Sequence, residues 1–183
     1  MDKQWHNQIL DFWFDELTSD QWFGGGEVLD RTIATRFGEL HTEMSEWIPS
    51  RAFVEGDMAL AAIIVLDQFS RNIHRGTARA FSQDPLALAL THNALRLGFD
   101  RNWEESRKQF LYMPLMHSEA LDDQELCVRL FAELGNANSL KFAREHRDVI
   151  ARFGRFPHRN AALGRDTTPE EAEYLQNANR YGQ

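Results

Sequence analysis

From Met58 to Leu66 the chain reads MALAAIIVL, nine apolar residues in a row with no alternation. Gly56-Asp57 offers a helix start just before the run, so the pattern predicts a helix that is apolar on all sides in its first turns. Such a helix leaves no face for solvent. The rest of the chain must wrap around it, and what the rest offers is more helices. Trp5, Ile9, Phe12 and Trp13 share one face of a first helix. Ile33, Phe37, Leu40, Met44, Trp47 and Ile48 form a second stripe that stops at Pro49.

Beyond the central helix the punctuation continues. Asp84-Pro85 reads as an N-cap followed by the first helical residue, and Gly98 as the stop. A fifth helix is expected over Trp103–Tyr112, bent or broken at Pro114, and a sixth from there to Gly135. A seventh spans about Ser139–Phe153 and ends at Gly154, and Thr168-Pro169-Glu170-Glu171 is a capping box that opens a short last helix. No strand pattern occurs. The expected fold is all-α, a single domain over residues 1–183 with about eight helices packed as antiparallel hairpins. No 34-residue self-similarity marks a repeat array.

Charge is distributed unevenly. The chain carries a net charge of −8, yet Arg152–Arg165 (RFGRFPHRNAALGR) holds four arginines, one histidine and no acid. Leu66–Arg79 (LDQFSRNIHRGTAR) adds three arginines, one histidine and one aspartate. Projected at 100° per residue, Leu60, Ile64, Asp67, Arg71 and His74 fall on one face of the central helix. That face starts apolar and ends charged, and Asp67 precedes Arg71 by four residues, the favourable order for an ion pair. His117 aligns with Leu121, Gln124, Val128 and Phe131, and His146 with Phe142, Val149, Ile150 and Phe153. A lone histidine on an apolar stripe is ordinarily a satisfied core residue. Two of them, with a polar-ended buried helix and an arginine loop, point together to a polar pocket.

The candidate ligand-binding residues are therefore Asp67, Gln68, Arg71, Asn72 and Arg75 from the central helix, His117 and Glu119, His146, and Arg155, His158, Arg159 and Asn160 from the loop. The planar forks of Arg155 and Arg159 suit a carboxylate or phosphate, with His158 and Asn160 orienting it. The competing reading is structural: arginines at a helix C-terminus satisfy free carbonyls and clamp acidic helix ends.

Other chemistries are excluded or demoted. The net charge argues against nucleic acid, and no run approaches the roughly 20 apolar residues of a membrane span. MDKQWHNQILDFWFDEL is too interrupted for a signal peptide, and the single cysteine fits a reducing cytoplasm. His117-Ser118-Glu119 has the H-x-E order of zinc deaminases, but one cysteine cannot supply their P-C-x-x-C partner. There is no H-E-x-x-H, and the histidines are too dispersed for a metal site. Gly24–Gly26 lacks the Lys-Ser/Thr of a phosphate loop, and Cys127 reads as packing.

The blocks FWF, LDQFSRNIHRGTARAF, FLYMPLMHSEALDDQE and FGRFPHRNAALGR-x-TTPEE, in that order, closely resemble the bacterial family called domain of unknown function 924. The resemblance covers nearly the whole chain. It implies an all-helical fold of the tetratricopeptide-like superfamily and brings no activity or cofactor with it.

Two functions are consistent with these residues. The first is a small-molecule protein, enzyme or sensor, holding an anionic ligand with Arg71, Arg155 and Arg159. His117 or His146 would then serve as acid or base, with Asp67 or Glu119 orienting it. The second is an interaction module whose basic concave face takes an acidic peptide. Residues enclosed in a pocket favour the first, and an open groove favours the second.

Overall fold

The computed structural model describes residues 4–178, and all the regular structure among them is helical. Helix α1 (Trp5–Asp11) runs without a break into a π turn at Phe12–Glu16. Then come α2 (Ser19–Gly24) and α3 (Glu27–Glu46). Helix α4 (Gly56–Ile63), a second π turn (Ile64–Phe69) and α5 (Ser70–Ile73) form one continuous rod. The chain continues through α6 (Asp84–Leu97), α7 (Glu105–His117), α8 (Leu121–Leu134) and α9 (Ala137–Phe153). A 3-10 turn at Pro157–Arg159 leads to α10 (Asn160–Leu163), and α11 (Pro169–Asn177) follows.

The apolar run lies where its composition requires. Residues 58–71 are all buried, and the rod is ringed by α1, α3, α6 and α7. Aromatic rings seal the junctions: Phe12 meets Phe37 at 5.0 Å, and Trp13 meets Phe69 at 5.7 Å and Phe110 at 5.2 Å. Each such side chain contributes on the order of 1.5–3 kcal/mol on burial.

The helix stops were read correctly at Gly98, Gly135 and Gly154, all left-handed, and the Thr168–Glu171 capping box closes in both directions. Four expectations need correction. Trp47 is 63% exposed because α3 ends at Glu46 and the backbone turns extended there. Asp84 does not cap α6; it is the first residue of that helix, behind Gln83, and its carboxylate points elsewhere. Helix α7 carries Pro114 within it and ends at His117, so the break lies later than expected. The buried Gln124 amide donates to the carbonyls of Leu115, Met116 and Ser118, satisfying the groups that a continued helix would have bonded. The alignment of His117 with Leu121 therefore fails. Finally, the π turn winds the rod by less than 100° per residue. Asp67 and His74 consequently part company, and His74 packs edge-on against His41 at 5.3 Å.

Candidate functional site

Asp67 sits in the π turn with no solvent exposure. A carboxylate so placed must be paired to stay charged. His117 supplies one partner, its Nδ1 2.7 Å from Oδ1, and Arg71 a second at 3.1 Å from the same oxygen. The Gln68 amide donates to Oδ2. Burial opposes ionisation, but Arg71 and His117 outweigh it, and the carboxyl is held well below the ordinary range. Because a carboxylate only accepts, it fixes the proton on Nδ1 of neutral His117 and leaves the Nε2 lone pair for chemistry. Burial and Arg71 push the His117 pKa down.

Asp84 is the residue that sequence reasoning missed. Its two oxygens take both terminal nitrogens of Arg71, at 2.9 and 3.0 Å, and Arg159 Nη1 at 3.2 Å. Arg159 also donates to the His117 carbonyl at 3.0 Å, and its guanidinium is sandwiched between Phe81 and Phe156, 4.6 Å from each centroid. The Asp84-Pro85 pair signals a helix start so strongly that nothing in the sequence marked the carboxylate as a clasp for two arginines.

Part of this network reaches the wall of a polar chamber of about 350 Å³, within the range of small-molecule sites, while Asp67 and Asp84 stand behind it. Gln68, Arg71, Asn72, Arg75, His117, His146, His158 and Arg159 all line it. Asn72 and Arg75 are held by Asp30, at 2.8 Å in each case. His146 bonds through Nδ1 to the Phe142 carbonyl at 2.8 Å, which again sets the tautomer. Burial lowers its pKa to about 3, and that of His158 to about 4 with Arg159 as the second cause. The rim includes Gly24–Gly26, which bring backbone but no side chains to the chamber. Trp22 anchors that rim, its Nε1–H donating to the Trp13 carbonyl at 2.7 Å.

Four sequence candidates lie outside the chamber lining, and one of them, Asp67, stands directly behind His117 and Arg71. Arg155 is bonded to both oxygens of Glu171, at 2.6 and 2.8 Å, and to the Asp166 carbonyl. Asn160 faces the same carboxylate at 3.2 Å. Glu119 accepts Arg165 at 2.8 and 2.9 Å and the Phe156 N–H at 2.9 Å, and it borders the cleft beside Leu163. Glu119, Arg155 and Asn160 fasten the C-terminal segment. The loop divides: Arg155 and Arg165 clamp acids, while His158 and Arg159 face inward. Among the described residues no cluster of three or more histidine, cysteine or acidic side chains is arranged to hold a metal, and no helix is long and apolar enough to cross a membrane.

The profile of a bacterial family of unknown function, DUF924, matches residues 9–179. The chain belongs to this family. It is also similar, at 37% identity, to the solved structure of a protein of unknown function, ATU0120, from Agrobacterium tumefaciens. The TM-score is 0.89, with 94% of this chain and 97% of that one covered. No curated protein matches. The family assignment thus fixes the architecture and leaves the chemistry to be argued from the chamber.

Proposed function

We propose that this DUF924 protein binds a small anionic ligand, a carboxylate or phosphate, in the polar chamber, with the Asp67–His117 pair poised beside it as acid or base. Arg159 carries this reading. Its guanidinium is buried between two phenyl rings, and its Nε has no hydrogen-bond partner. Burial first, and Arg71 second, push its pKa down to about 10, while Asp84, Glu119 and Asp67 only partly compensate. Arg159 shares Asp84 with Arg71, so this cation has no carboxylate of its own, and a ligand anion would supply one. Arg71 and Arg75 are the other cations on the wall, and Arg155 is no part of it.

Asp67, Arg71, His146 and Arg159 are all buried, which favours a small ligand over an acidic peptide laid on an open face. A reaction at this site would use Nε2 of His117 as the base.

The test is to follow the histidine imidazole resonances of the full chain during titration with inorganic phosphate and with acetate. Saturable movement of His117, His146 and His158 is expected, with the same curve in Arg155→Ala. If none of the three moves while the protein stays folded, the chamber does not take anions and the reading is wrong.

A further inference from the structure

A second chamber, of about 420 Å³, lies against the first and is of opposite character. Met113, Met116, Phe131 and Phe142 supply its apolar wall, and Phe23, Met113, His117 and His146 line both spaces. An apolar recess open to water keeps its wall in contact with solvent, and covering that wall with an apolar group is favourable. An apolar space of this size, joined to a charged one, is the shape of a ligand with two unlike ends. We propose that the ligand is an amphiphile, with an anionic head in the polar chamber and an apolar chain or ring in the chamber beside it.

The proposal rests on the anion reading above and deepens it. Two further features support it. Phe23 borders both chambers yet is 57% exposed, although it stacks face to face with Phe110 at 6.3 Å and meets Trp22 edge-on at 6.4 Å. An apolar tail beneath it would cover that ring. Met113 and Met116 are unbranched and adaptable, so the second chamber can accommodate tails of varied shape. His117 stands in the dividing wall. The bond joining head to tail would lie next to the imidazole that Asp67 orients.

The probes are n-alkyl carboxylates from acetate to decanoate, the matching alkyl phosphates, and the matching n-alkanols, each titrated calorimetrically into the full chain. Kd should fall about two- to fourfold per methylene, the value of a buried CH₂, and then level off when the chamber is full. Asn138 lines the apolar chamber from the exposed first turn of α9, so a larger side chain there narrows the space without entering the core. Asn138→Trp should abolish the gain with chain length and leave the shortest anions bound as before.

Short anions binding with no gain along the series would overturn the two-ended ligand and leave the anion site standing. Alkanols binding as tightly as the carboxylates and phosphates would remove the anionic head. Silence from every probe would remove both readings. A gain with length that survives Asn138→Trp would place the tail elsewhere and also defeat the proposal. The relative strength of the carboxylate and phosphate arms identifies which head the chamber prefers.

Discussion

His117 Nδ1 lies 2.7 Å from Oδ1 of Asp67, joining two residues fifty positions apart across the interface between the central rod and α7. The contact ties a wholly buried carboxylate to the last residue of a helix whose flanking end carbonyls, of Met116 and Ser118, accept from the Gln124 amide. Removing the charge should therefore be felt throughout the chamber. Asp67→Asn is expected to cost about 3 kcal/mol, the low end for a broken buried ion pair, because Arg71 keeps Asp84. A urea melt gives the number, and a loss below about 1 kcal/mol would mean the network does not depend on the Asp67 charge.

Arg159 presents a sharper contrast. As a residue of an arginine-rich loop it would be expected to tolerate truncation with the fold intact. Its position between Phe81 and Phe156, with bonds to Asp84 and the His117 carbonyl, says otherwise. Arg159→Ala should lower stability by roughly 3 kcal/mol in the absence of any ligand. A melt unchanged from the wild type would show that the guanidinium is dispensable to the fold.

Acid should destabilise the protein well before its carboxylates titrate. His41 and His158 are pushed down to about 4 and His146 to about 3, in each case chiefly by burial. Unfolded, each would take up a proton near pH 6.5. Between about pH 6.5 and 4 the unfolded chain thus binds more protons, and stability, complete above 6.5, is lost as the pH falls. Each histidine contributes up to about 1.4 kcal/mol per pH unit within that window. Denaturant melts at pH 7.5, 6 and 5 read the slope, and a flat line over this range would mean that the imidazoles are not buried in their neutral form.

Arg155 provides the control. Its partners are Glu171 and the Asp166 carbonyl, and Glu171 in turn is held to about 2 by that pair and by the Thr168 N–H. Arg155→Ala should loosen α11, seen as faster exchange of its backbone amides from Glu170 onward, while ligand titrations at the chamber stay as in the wild type. A change in those titrations would return Arg155 to the site.

The sequence announced the fold well where backbone chemistry is local. An all-apolar run, glycines at 98, 135 and 154, and a capping box at Thr168 each act on their own neighbours, so a linear reading finds them. The site was half legible for the same reason. Asp67, Arg71, His117 and His146 are polar on faces that begin or continue apolar, Arg159 stands out in a basic loop, and they do converge. What stayed hidden depends on long-range choice. Which acid each arginine takes cannot be read from composition: Arg155 chose Glu171, Arg165 chose Glu119, and Asp84 drew two partners from 13 and 75 residues away. The exit of α7 at His117 was equally opaque, being decided by Gln124 in the next helix.

The π turn at Ile64–Phe69 has a consequence for how this chamber could arise or vanish. A π turn amounts to one residue more than the α-helical count, held in place by its surroundings. Deleting a single apolar residue such as Val65 would let the rod revert to plain α-helix with its caps unaltered. The wide turn absorbs its extra residue locally, so Arg71 beyond it would keep its bearing on Asp84, and the residues of the turn itself, Asp67 among them, would change register against His117. Within this rod, the placing of the buried carboxylate is a matter of counting, written in the length of the chain as much as in its letters.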